Sequence, residues 1–235
     1  MNFRTLKILI MLFLVTGLTA FSIVKNGDRN INFNKINFID SDLKFISIES
    51  VNKLLKQTDS NSSPLLKRDL NLKKIEETIN DNGFIDSAEV SMDLVGEIGV
   101  RIVEKKPVFR VLNGKFYIDS NGNKMPLSNL FSERIPLIIS KVKSSDYINL
   151  GSLGVFLKND DFLNTHIIGL DIIDNELFFH VRNFTYVIKM KGFNKYETRL
   201  NNYKVFYKSA INDNILKDLS LINLNFKSQV IVEKK

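Results

Sequence analysis

The chain reads as an α+β protein in two units behind an apolar N-terminal segment, and three observations predict this. Ile8–Val24 carries no charge. Two amphipathic helix patterns are followed by a run from Gly83 to Pro107 with the period-2 alternation of paired strands. Beyond Pro107, short alternating segments separated by turn residues are interrupted by one aromatic stripe at helical spacing.

At 235 residues and 44% hydrophobic, the chain is long enough for one or two packed cores and too apolar for a disordered class. The net charge of +7 reads first as solvation, second as a surface near anionic lipid headgroups and last as a nucleic-acid footprint. The basic residues are spread along the chain and form no aromatic-studded stripe. The absence of cysteine removes disulfides, thiolate catalysis, Cys-ligated zinc and iron–sulfur clusters together. Abundant Asn, Lys, Ile and Phe without Trp reads as the drift of an AT-rich genome.

The first element is Ile8–Val24, expected as a transmembrane anchor between a tail of residues 1–7 and a linker of residues 25–30. Its run of apolar residues spans roughly 25 Å as a helix, slightly short of a hydrocarbon core of about 30 Å. Arg4 and Lys7 precede it, which predicts a cytoplasmic N-terminus. The competing reading is a signal peptide cleaved between Ser22 and Ile23, with Ala20 and Ser22 as the small residues. Either way, the rest of the chain is exported.

Residues 31–107 are expected to form the first folded unit. Ile31, Phe33, Ile36, Phe38 and Ile39 suggest an extended segment. Ser47 is a candidate N-cap for a helix whose apolar face holds Ile48, Val51, Leu54 and Leu55. Asp59–Pro64 is a loop by composition. A second helix is expected from Leu72 to Asn82, with Leu72, Ile75 and Ile79 on one face and Asn82-Gly83 as a left-handed cap. In the hairpin, Ala88, Val90, Met92 and Leu94 alternate with polar residues, Gly96 marks the reversal, and Ile98, Val100 and Ile102 resume the pattern. Glu104–Pro107 ends the ladder, since proline has no N–H to donate. Strand, helix, helix, strand, strand places two helices on one face of a three-stranded sheet, because a hairpin alone buries too little to persist.

Residues 108–235 are expected to form a mixed, β-rich second unit. Phe109–Leu112, Asn113-Gly114 and Lys115–Asp119 predict a hairpin with a type I′ turn. Asp119–Gly122 is a turn without the glutamate a calcium loop requires. Ile135–Ile139 is a short strand and Leu153–Leu163 a short helix. Ile168–Ile173, Glu176–Val181 and Thr185–Met190 form a meander with turns at Asp174-Asn175 and Arg182-Asn183. Asn194–Ile211 is a helix whose stripe of Tyr196, Leu200, Tyr203, Tyr207 and Ala210 packs on the sheet, with Arg199 and Lys208 solvated. Leu219–Val232 reads as one long final strand. Ile222, Leu224, Phe226, Val230 and Val232 share one side, and Ser228 marks a bulge.

No constellation of catalytic residues rises above background. His166 and His180 fit no metal spacing and read as hydrogen-bonded structural histidines. Gly151-Ser152-Leu153-Gly154 lacks the nucleophile-elbow pattern, and Asp160-Asp161 reads as a helix cap or a solvated pair. The residues alone therefore predict neither an enzyme nor a cofactor, metal, nucleic acid or small-molecule substrate.

The hairpin GFIDSAEVSMDLVGEIGVRIVEKKPVFRV, the segment FYIDSNGNKMPL (Phe116–Leu127) and the C-terminal LINLNFKSQVIVEKK carry a resemblance. Together with the anchor and their spacing, they resemble the FtsQ/DivIB family of bacterial cell-division proteins, in a Bacteroidetes-like variant. The resemblance implies a POTRA domain of β-α-α-β-β order followed by a C-terminal β domain. It implies a bitopic inner-membrane scaffold that bridges division proteins at the septum from the periplasm. It also implies partners among small single-pass coiled-coil division proteins (FtsB/FtsL-like), recruited by strand addition to the final strand. Asn223, Asn225, Phe226, Ser228, Val230 and Val232 become candidate partner-binding positions. The family often has Asp-Leu-Arg where Asn223-Leu224-Asn225 stands, so the charged contact of that Arg is missing. A POTRA-type chaperone for outer-membrane protein assembly is one alternative. An exported hydrolase, which requires a concave polar pocket in the second unit, is the other.

Overall fold

The computed structural model describes residues 3–29, 36–39, 42–58, 66–93, 96–226 and 229–235. Ile31, Phe33, the Asp59–Pro64 loop, Leu94, Val95 and Ser228 lie outside the described residues. The chain divides into two compact units, Met1–Glu104 and Lys105–Lys235.

The first unit begins with helix α1 (Phe3–Gly27), none of whose residues is buried. Its 25 residues reach roughly 37 Å, more than the apolar run alone and enough to cross a hydrocarbon core. The Thr16 hydroxyl donates to the Leu12 and Phe13 carbonyls and that of Thr19 to Thr16, so neither is left bare in an apolar medium. Strand β1 (Ile36–Phe38) and helices α2 (Ile48–Thr58) and α3 (Leu72–Asn80) come next, then strands β2 (Ile85–Met92) and β3 (Ile98–Glu104). Among the described residues the sheet order is β1-β3-β2, with β1 parallel to β3 and β2 antiparallel to it.

Burial follows the predicted periodicities except at Ile48, which was expected on the apolar face of α2 and is exposed. Val51 and Leu55 of α2 and Ile75 and Ile79 of α3 are buried against Ala88, Val90, Ile98, Val100 and Ile102. Ala88 lies opposite Ile102 and Val90 opposite Val100, while Glu89 and Arg101 pair on the open face. The Ser47 hydroxyl accepts the Ser50 N–H at 3.2 Å, the expected N-cap. Two carboxylates do what no periodicity announced. Glu104 accepts the N–H groups of Lys44, Phe45 and Ile46 at 2.8–3.0 Å and ties the entry to α2 to the end of β3. Glu76 of α3 accepts the Val90 N–H at 2.8 Å.

The expected left-handed cap at Asn82-Gly83 is absent. Helix α3 stops at Asn80, Asp81 stays right-handed, and Asn82 instead accepts the Phe84 N–H through its side chain. A side-chain turn closes the helix where a glycine cap was expected. Gly96 does adopt φ +96°, and Asp93 accepts its N–H and that of Glu97 at 2.7 Å.

The second unit contains strands β4 (Pro107–Val111), β5 (Phe116–Asp119), β6 (Lys124–Pro126) and β7 (Leu137–Ile138). Helices α4 (Tyr147–Asn159) and α5 (Asp161–His166) come next, then the meander β8 (Ile167–Ile173), β9 (Glu176–Val181) and β10 (Val187–Lys191). Helix α6 (Tyr196–Asn212) leads to β11 (Leu219–Asn223) and β12 (Ile231–Lys234). Among the described residues these strands form one sheet of order β12-β11-β10-β9-β8-β7-β4-β5-β6. Leu150, Leu153 and Leu157 of α4 and Leu200, Tyr203 and Ala210 of α6 join the buried positions of the strands in one core. The tyrosine stripe of α6 is core packing, as its spacing predicts.

Five local expectations are corrected. Pro107 opens β4 rather than closing the preceding ladder, a position where its missing N–H costs nothing. The β4–β5 hairpin forms, but its left-handed residue is Lys115 (φ 50°), and neither Asn113 nor Gly114 has positive φ. The loop is a four-residue connection, not a type I′ turn. The type I′ pattern sits at Asp174-Asn175 (φ 49° and 63°). The expected Leu153–Leu163 helix is two helices broken at Asp160, which ends α4 and caps α5 by accepting the Phe162 and Leu163 N–H groups. Arg199 is not merely solvated, since it donates to the Lys191 carbonyl at 2.8 Å.

The last correction matters most. Leu219–Val232 is not one strand. It doubles back, and β11 and β12 pair antiparallel with Ile222 opposite Val232 and Asn223 opposite Ile231. Strand β11 also runs parallel to β10, so it is internal and β12 is the edge.

Candidate partner-binding surface

The C-terminal hairpin is held from several sides. The Leu224 N–H extends the β10–β11 ladder to the Lys189 carbonyl at 2.8 Å, and Leu224 is buried. Asn223 accepts the Asn225 N–H through its side chain at 3.0 Å, while Asn225 accepts the Lys191 N–H in the same way. Both amides are thus engaged within the fold. The Ser220 hydroxyl donates to the Glu233 and Lys234 carbonyls, and the Lys235 N–H donates to Asp218. The chain end is therefore stitched to the beginning of β11.

Of the six candidate positions, Phe226 stands out, 47% exposed in the connection between the two strands. Ile222 and Leu224, placed beside it in sequence, are buried, because the apolar alternation ends where the strand ends. Val230 and Val232 are half-buried against the core and Ser228 lies outside the described residues. Sequence reasoning passed over Ile231, which is 40% exposed and faces the same side of the sheet as Asn223. Its signal was the length of Leu219–Val232, which exceeds an ordinary strand of about 5–6 residues and suffices for a strand, a reversal and a return.

The face of this sheet away from α4 and α6 carries the charged residues of the meander. Lys189 pairs with Glu176 at 2.7 Å and lies over the Phe178 ring. His180 Nε2 meets Asp171 at 2.9 Å, and the other oxygen of that carboxylate accepts the Ser140 N–H. On the core side, His166 Nε2 meets the Tyr203 hydroxyl at 2.6 Å, and that hydroxyl meets Tyr186 at 2.7 Å. Burial, with Arg182 nearby, pushes His166 down to about 4, and burial pushes Tyr186 up to about 12. The imidazole is neutral and the phenols are protonated at physiological pH. Both histidines hold structural partners, as expected from sequence.

The second unit also has a cleft of about 900 Å³ lined by residues of the 132–137 segment, α5 and the Arg182-Asn183 turn. Within it, the Ser132 hydroxyl accepts from Arg110 and meets the Tyr117 hydroxyl, both at 3.2 Å, and His166 turns to Tyr203. The imidazole in this lining is His166, and the hydroxyl it bonds is the buried phenol of Tyr203, not a serine or threonine. Among the described residues no group of three or more His, Cys, Asp or Glu is placed to hold a metal.

A first unit that begins with an apolar helix long enough to cross a membrane, and a second, β-rich unit that closes on an edge hairpin, define a class of two-unit α+β protein. Residues 106–232, more than half of the chain, match the family model described as FtsQ/DivIB, C-terminal related. The chain belongs to the FtsQ/DivIB family, whose role is in cell division. A comparison with curated proteins gives no match.

Proposed function

We propose that the chain is a bitopic scaffold of the division machinery that recruits and bridges other division proteins at the septum, working by binding and not by reaction. Helix α1 crosses the inner membrane with Arg4 and Lys7 on the cytoplasmic side, and both folded units stand in the periplasm. The β-α-α-β-β order of the first unit supports its reading as a POTRA domain. The partners are small single-pass coiled-coil proteins of the FtsB/FtsL kind, and one of them adds a strand to β12.

The observation that carries this reading is the end of the sheet. Within the family-matched unit, β12 pairs with β11 and, among the described residues, with no strand beyond it. Such an edge offers backbone N–H and C=O groups to an incoming chain, and it carries exposed Ile231, with exposed Phe226 in the connection before it. Strand addition uses backbone groups, so it does not require the Arg missing at Asn225.

The test is capture of the organism's single-pass division proteins by the full chain. Phe226→Glu should abolish capture while the melting temperature stays within about 1 °C of the parent, because an exposed side chain contributes little to the core. Unchanged capture would sink strand addition at this edge. No capture by the parent would sink the partner class.

A further inference from the structure

We propose that the cleft formed by the 132–137 segment, α5 and the end of β9 docks an acidic segment of a partner protein, held by Arg110, Arg134 and Arg182. This site is separate from the β12 edge and does not depend on strand addition there.

Three arginines reach one cleft from three places: β4, the 132–137 segment and the turn after β9. Among the described residues, Glu133 is the one acidic residue in the lining. The Arg182 Nε donates to the Thr165 carbonyl at 2.9 Å, which sets the guanidinium plane. Its two terminal nitrogens have no hydrogen-bond partner among the described residues, and neither does Arg134, which is exposed. Arg110 is oriented by the Ser132 hydroxyl and lies over the Tyr117 ring. Planar guanidinium groups fixed on one side and open on the other suit carboxylates, which they take in bidentate pairs.

The size and walls favour a peptide over a small anion. A volume of about 900 Å³ is at the upper end for a small-ligand pocket and far exceeds one phosphate. Ile135, Leu137, Ile168, Phe162 and Tyr207 line the same cleft as the arginines. Leu137 and Ile168 are 38% and 41% exposed, so the cleft offers apolar surface as well as cations. The complementary ligand is an extended segment that carries both carboxylates and aliphatic side chains. The net charge of +7 adds long-range attraction for it.

The test uses the full chain in detergent and a fluorescein-labelled peptide of alternating glutamate and leucine, followed by anisotropy. Saturable binding is expected, weakened about tenfold or more in Arg134→Gln/Arg182→Gln. Lys158→Gln/Lys208→Gln removes the same charge from exposed helix positions outside the cleft and should bind as the parent does. Phe226→Glu should also bind normally. Equal weakening by the arginine and lysine pairs would mean diffuse attraction and overturn the site. Equal binding of a glutamine–leucine peptide would overturn the role of the carboxylates. Displacement of the peptide by inorganic phosphate at matched ionic strength would reassign the cleft to small anions.

Discussion

At the scale of single residues, carboxylates and one imidazole decide more than the hydrophobic pattern suggests. Glu104 accepts three backbone N–H groups, so Glu104→Gln should cost about 1–3 kcal/mol, read as a lower melting temperature of the first unit. The sequence showed Glu104 as part of the EKKP ending, but not its bonds, because its partners lie some sixty residues upstream. His166 supplies a pH test. Its pKa is depressed by burial first and by Arg182 second, to about 4 against the ordinary 6.5. The folded state therefore binds fewer protons than the unfolded state between those values. The contribution of His166 to stability is fully present above about pH 6.5 and falls by on the order of 3 kcal/mol as pH drops toward 4. Thermal melts across that window should show a steeper loss in the parent than in His166→Gln, and equal slopes would contradict the assignment.

At the scale of elements, sequence patterns were legible where periodicity was long and failed where a side chain cut them. The α6 stripe and the β2–β3 alternation were readable because one face of each is uniformly buried. The break between α4 and α5 was not, because apolar spacing continues through Asp160. That aspartate stops one helix and caps the next. Asp160→Ala should cost about 1–2 kcal/mol through the lost cap, measured by denaturant unfolding. The docking of α4 onto the β5–β6 turn depends on two glycines. A Cβ at Gly151 would lie 2.7 Å from the Gly122 nitrogen, and one at Gly122 would lie 2.6 Å from the Ile148 Cα. Backbone cannot yield as a side chain does, so Gly151→Ala should destabilise the second unit by about 1–3 kcal/mol. A neutral result would show that the helix can shift.

At the scale of the whole molecule, the two units have cores that share no residue. Calorimetry should resolve this: Glu104→Gln should move one transition and Gly151→Ala the other. The apolar helix, the order of elements in the first unit, the meander, the α6 stripe and the family were all legible in the residues alone. They are written in local periodicity, turn residues and short motifs, each readable within a window of the chain. The folded chain was needed to show that the final segment is a hairpin and that β12, not β11, forms the edge. It was needed also to show that Asn223 and Asn225 serve the fold and that three distant arginines share a cleft. Those outcomes depend on which strand pairs with which, and pairing is set by contacts between residues far apart in sequence, where no local pattern carries the information.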